Sequence, residues 1–212
     1  ASQEFTEINY SSTLETIILL KNEDQILPLA DYERILVCGP AAHSINILNG
    51  SWSRTWTGID TSYNDKSKKT IFEALQDTYN KSNVKYLPGS SFQEVLDINE
   101  IRKASKWASK IILCIGEEPA TEKPSDIDDL LIHQAQIDLA TELSKSGKDI
   151  ILVMVLARPR IVRDIVKLSK AVLLSNLPGN EGGRAFASVI AGDYNPSGKL
   201  PYSYPIQSGN TW

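Results

Sequence analysis

The residues best suited to chemistry lie in one run, Gly116-Glu117-Glu118-Pro119-Ala120-Thr121-Glu122-Lys123-Pro124-Ser125-Asp126-Ile127-Asp128-Asp129. It sets six carboxylates between Glu117 and Asp129. Such a density could bind a metal, hold sugar hydroxyls or offer a general acid. The plain alternative is a solvated loop in which Asp126 or Asp128 caps the following helix. Calcium loops alternate their carboxylates around a turn glycine. Asp126 and Asp128 alternate, but no glycine lies among them. No metal site is expected, and no cofactor.

A second run, Asn49-Gly50-Ser51-Trp52-Ser53-Arg54-Thr55-Trp56-Thr57-Gly58, holds two tryptophans in a polar, glycine-flanked setting. An exposed indole is a platform for the apolar face of a sugar ring. Both could instead anchor the loop, and the expectation here is one packing and one binding. His43 and His133 are isolated and expected to be structural. There is no nucleophile elbow and no dinucleotide fingerprint. Pro178-Gly179-Asn180-Glu181-Gly182-Gly183 has its glycines at other spacings and reads as a tight turn opening a helix.

These runs need elements to hold them. Ile35–Cys38, Val84–Leu87, Ile111–Ile115, Ile150–Leu156 and Ala171–Asn176 read as strands. Several are uniformly apolar, the habit of parallel strands covered on both faces. Helices are expected over Thr70–Tyr79, around Ile98–Ala108, from Asp129 to Ser146 with Gly147 as its left-handed stop, and over Glu181–Ile190 closed by Gly192. Ser12-Thr13-Leu14-Glu15 has the form of a capping box before the apolar stretch Ile17–Leu20. The alternation predicts an α/β fold: a doubly wound, mostly parallel sheet flanked by helices on both faces, a three-layer α/β/α sandwich. Ligands of such sheets sit beyond the carboxyl ends of the strands, which is where both unusual runs fall.

A chain of 212 residues with 42% hydrophobic content can bury one substantial core, so residues 1–212 are expected to form a single domain. Net charge is -4 without a basic cluster, which argues against nucleic acid as a partner. Lys66, Lys68 and Lys69 are expected to be solvated surface. No apolar run approaches the roughly 20 residues of a membrane span, and no membrane partner is expected. Cys38 and Cys114 sit in two apolar strands and read as buried thiols, with contact between them left open. The ends, Ala1–Glu4 and Gly209–Trp212, look like cuts from a larger chain.

Taken together, five segments resemble the second domain of glycoside hydrolase family 3. They are Leu19-Leu20-Lys21-Asn22-Glu23 with Leu27-Pro28-Leu29; Val37-Cys38-Gly39-Pro40-Ala41-Ala42; the loop of Trp52 and Trp56; Gly116 to Glu122 with Asp126; and Leu177 to Gly183 with Gly192 to Pro201. Arg158-Pro159 falls where the family has an Arg-Pro pair. The resemblance implies a retaining, exo-acting β-glycosidase, β-glucosidase-like, acting on a glycoside or oligosaccharide substrate. It implies an N-terminal barrel domain of the same chain that carries an aspartate nucleophile. It implies that the glutamate ending a Gly-Glu-x-Pro-x-x-Glu motif, here Glu122, is the acid/base. Trp56 would clamp the leaving-group sugar, Asp126 would order the loop, and Arg158 would line the substrate region. Glu117 and Glu118 are the next carboxylates to consider. A periplasmic or secreted location is the family's habit.

Retaining glycosidases need two carboxylates roughly 5 Å apart, one of them protonated. A loop glutamate docked beside a barrel aspartate meets both requirements only on assembly. The isolated chain is therefore expected to be inactive. A non-catalytic carbohydrate-binding or structural domain of a degenerate relative is the alternative.

Overall fold

The computed structural model describes residues 2–207; the terminal run Gly209–Trp212 lies outside the described residues. Its centre is a six-stranded sheet. The strands are β1 (Ile18–Asn22), β2 (Ile35–Cys38), β3 (Val84–Leu87), β4 (Lys110–Gly116), β5 (Asp149–Val155) and β6 (Ala171–Ser175). Their order is β1-β6-β5-β4-β2-β3. All neighbours pair in parallel except β1, which runs antiparallel to β6 at the edge. β2, β4, β5 and β6 are buried along nearly their whole length, as uniformly apolar strands between two helical layers must be.

The helices are α1 (Gln3–Thr16), α2 (Ile45–Asn49), α3 (Ile71–Thr78), α4 (Ile98–Trp107), α5 (Gln134–Ser144), α6 (Arg163–Leu168) and α7 (Gly182–Ala191). Alternate strand residues face two separate cores. Val37, Cys114, Val153 and Leu173 meet α1, α2, α3 and α7 on one side. Cys38, Leu113, Leu152 and Val172 meet α4, α5 and α6 on the other. The three-layer sandwich is thus present. The two thiols are free and lie on opposite faces of the sheet, and burial raises the pKa of each.

Chain direction makes the β2/β4 boundary the switch point. From β2 the chain crosses by α3 to β3 on one side; from β4 it crosses by α5 to β5 on the other. A crevice opens at the carboxyl ends of such a strand pair. Its floor is tight: Gly39, at φ 95°, turns directly over β4, and a Cβ there would strike the Cys114 carbonyl oxygen.

Four local expectations need correction. The Ser12–Glu15 run lies in the last turn of α1, whose N-cap is Ser2, accepting from Phe5 N–H. The apolar stretch after it forms the edge strand β1, because β6 offers it a free edge to pair with. The helix expected from Asp129 begins only at Gln134. Leu131 instead forms a bridge with Ile161, and Ile161 N–H donates to the Leu130 carbonyl at 2.7 Å, so the backbone is committed elsewhere. Neither Asp126 nor Asp128 caps α5; its N-cap is His133, which makes no side-chain cap bond. Lys68 is not solvated surface. Its ammonium meets the Glu181 carboxylate at 2.6 Å, with the glutamate buried.

Candidate active-site face

Glu117 is the first residue beyond β4, and its position follows from what holds Gly116. Buried Gln136 on α5 accepts the Gly116 N–H and donates to the Gly116 carbonyl, both at 3.0 Å, like a strand partner made from a side chain. Glu117 is itself buried. Its Oε1 receives Arg158 Nη2 at 2.7 Å, Arg158 Nε at 3.1 Å and Arg160 Nη1 at 2.9 Å. Arg160 continues to the carbonyls of Leu130 and Leu131. A buried carboxylate needs such partners, since an unpaired buried charge costs several kcal/mol by general estimate, ~3–5. Both arginines come from the segment after β5, at the same sheet end.

Arg158 also donates its Nη1 to the Ser125 carbonyl at 2.8 Å. Ser125 Oγ accepts the Thr121 N–H at 2.9 Å. Thr121 Oγ1 accepts the Trp52 indole Nε1–H at 2.8 Å. These contacts run from the strand end, through the acidic loop, to the tryptophan loop. Between Thr121 and Ser125 the chain turns through Glu122, which is exposed and held at φ 54°. A positive φ in a glutamate is uncommon and strained, and such residues cluster at functional sites. The short 3-10 turn Lys123–Ser125 with Pro124 near its start follows. Glu118 and Asp126 are exposed as well.

The tryptophan loop is braced from inside. Trp52 N–H donates to the Trp56 carbonyl at 3.3 Å, Ser51 Oγ to Thr57 O at 3.1 Å, and buried Asn46 to Gly58 O at 2.6 Å. Gly58, at φ 73°, passes so close to the Gly50 carbonyl that no side chain fits. Asn49 ties the loop to Asn180 of the turn before α7 at 2.9 Å. Against expectation, neither tryptophan packs inward: Trp52 is 66% and Trp56 45% exposed. The difference between them is that Trp52 is tethered by its indole nitrogen.

Ile47, Gly50, Ser51, residues 117–120, Val155, Ala157 and Leu177 enclose a void of only about 10 Å³. The two loops thus pack closely against each other at this point. Among the described residues no group of three or more His, Cys, Asp or Glu is placed to hold a metal ion. His43 bonds Thr70 Oγ1 at 2.8 Å and lies edge-on to Phe72 and Tyr86, away from the acidic loop's partners. Two residues of this face, Arg160 and Gln136, were not singled out from sequence. Only the Arg-Pro-Arg spacing after a buried strand hinted at the first.

Residues 17–211 match the family model for the glycosyl hydrolase family 3 C-terminal domain. The chain is 36% identical over 205 residues to a lysosomal beta glucosidase of Dictyostelium discoideum, covering 92% of this chain and 25% of that protein. It is 33% identical to a periplasmic beta-glucosidase of Salmonella typhimurium, covering 92% of this chain and 28% of that one. In structure it is similar to a beta-glucosidase from Listeria innocua solved in complex with isofagomine, with TM-score 0.85, 26% identity, and coverage of 97% of this chain and 28% of the other. The chain therefore spans about a quarter of the length of the curated relatives it matches. Match, relatives and three-layer architecture agree: this chain belongs to glycosyl hydrolase family 3, as its C-terminal domain.

Proposed function

We propose that this domain completes the active site of a retaining, exo-acting β-glycosidase, β-glucosidase-like, whose nucleophile lies on an N-terminal barrel domain of the same chain. Glu122 supplies the general acid/base, and Trp56 is the aromatic clamp for the leaving-group sugar. One observation carries most weight: of the motif's two outer glutamates, Glu117 is buried and spent on two arginines, whereas Glu122 is exposed at a strained corner beside the tryptophan loop. A carboxylate that already holds Arg158 and Arg160 is not free to meet a glycosidic oxygen. Glu122 has its oxygens free to meet a glycosidic oxygen. Asp126, exposed one residue beyond the 3-10 turn, shapes the same loop end. Arg158 serves the substrate through the loop it holds, because its nitrogens are engaged by Glu117 and Ser125.

In the mechanism, Glu122 protonates the leaving oxygen while the barrel aspartate attacks the anomeric carbon. It then takes a proton from the water that releases the sugar. Burial against the barrel keeps the acid protonated between cycles. The isolated chain lacks the nucleophile and is expected to be inactive on aryl glycosides. The test is Glu122→Gln in the full-length enzyme, compared by kcat/KM on a disaccharide and on a 2,4-dinitrophenyl glycoside. The disaccharide value should fall ~100-fold or more, in the range of general acid catalysis, with the activated substrate nearly unaffected. Equal values for variant and wild type on both substrates would refute the assignment. An inactive wild type would favour a degenerate, carbohydrate-binding relative.

A further inference from the structure

Five side chains on this face touch no reacting atom in the reaction just described, yet they are linked in series. Arg158 spans Glu117 and the Ser125 carbonyl, Ser125 Oγ holds Thr121 N–H, and Thr121 Oγ1 holds the Trp52 indole. The two residues that flank the Glu122 corner on this path are thereby fixed from opposite sides. Ser125 is fixed to the strand end through Arg158, and Thr121 to the tryptophan loop through Trp52. The Glu122 side chain makes no hydrogen bond, and its backbone is held only through its carbonyl, which accepts the Ser125 N–H at 2.9 Å; a φ of 54° persists only where neighbours impose it. Trp52 is also the more exposed indole, but its nitrogen is committed to Thr121 and its backbone to Trp56.

We infer that Glu117, Arg158, Ser125, Thr121 and Trp52 form a positioning device that sets the orientation of the Glu122 carboxyl, with Trp52 acting as a strut between the two loops rather than as a second sugar platform. This rests on the reading of Glu122 as the acid/base. It assigns the two tryptophans of one loop to different tasks. Trp56 meets the substrate, and Trp52 couples the clamp to the acid, so the two move as one unit when the domain docks. Errors of about 1 Å in the placement of a catalytic group can cost roughly 100-fold in rate. Only a step that needs the proton is sensitive to such an error.

The test uses the full-length enzyme with Thr121→Val, which keeps shape and removes the acceptor, Thr121→Ser, which keeps the acceptor, and Arg158→Lys, which keeps charge and loses the fork. Thr121→Val and Arg158→Lys should lower kcat/KM on a disaccharide ~10-fold or more, while a 2,4-dinitrophenyl glycoside stays within about twofold of wild type. Thr121→Ser should restore the disaccharide value. Loss of both substrates in equal proportion, or of neither, overturns the inference, as does failure of Thr121→Ser to differ from Thr121→Val. Glu122→Gln run alongside separates the two claims. If it lacks leaving-group dependence, the acid assignment falls and the device with it. If it shows that dependence and Thr121→Val and Arg158→Lys do not, the device alone falls.

Discussion

The two ends of one glutamate-bearing motif have opposite environments. Glu117 follows directly from β4, is buried, and accepts from two arginines. Glu122, five positions on, sits on an exposed corner with strained backbone, and its carboxylate has no hydrogen-bond partner among those the structure shows. The sheet explains the contrast. Near the strand end, parallel neighbours on both sides leave no room for water, so a charge there needs protein partners. Beyond the crossover the chain is free of the sheet, and only loop-to-loop bonds shape it. The same motif thus provides a floor and a tip, and the tip is the part left available for chemistry on another molecule.

The largest test of that contrast is Glu117→Ala. It strips the counter-charge from Arg160, which is buried, and from half-buried Arg158. The domain should lose ~3–5 kcal/mol of stability in denaturant unfolding, the cost of breaking a buried ion pair. A midpoint like that of wild type would mean that the floor is not rigid. Ser125→Ala probes the link between floor and tip. It removes one hydroxyl acceptor, and a loss of ~1 kcal/mol is expected for a single hydrogen bond. A loss as large as that of Glu117→Ala would erase the gradient. At the tip, Glu122→Gln should leave the unfolding midpoint where it was, because nothing in the domain depends on that charge. A destabilised Glu122→Gln protein would mark the residue as structural.

Much of this fold was legible because its central strands are extreme. Ile111–Ile115 and Ile150–Leu156 are apolar without interruption, and only a strand buried on two faces satisfies that. The helix expected over Thr70–Tyr79 is α3, and the structure adds a capping box between Thr70 and Glu73 with both reciprocal bonds. Where the sequence misled, another partner outbid the local pattern. Ser12–Glu15 has capping-box spacing, but α1 was already running from Ser2. Ile18–Asn22 became a strand through β6. α2 and α6, of five and six residues, are too short for a periodicity to show.

At the site, carboxylate density and paired tryptophans are local signals, and the structure joins the two runs through the Trp52–Thr121 bond. The sequence could not tell Glu117 from Glu122. That distinction depends on Arg158, Arg160 and Gln136, which reach β4 from 20 to 43 residues away. One tryptophan was expected to pack, yet both are exposed, and the Trp52–Thr121 bond that tethers one of them joins residues 69 apart.

The assignment of Glu122 is tested most directly by product analysis. Full-length enzyme carrying Glu122→Ala is given a 2,4-dinitrophenyl glycoside with sodium azide. A small anion that needs no base should intercept the glycosyl-enzyme intermediate, speeding turnover and yielding a β-configured glycosyl azide detectable by NMR. Turnover unchanged by azide with no such adduct, together with rescue of Glu118→Ala under the same conditions, would move the acid/base off Glu122.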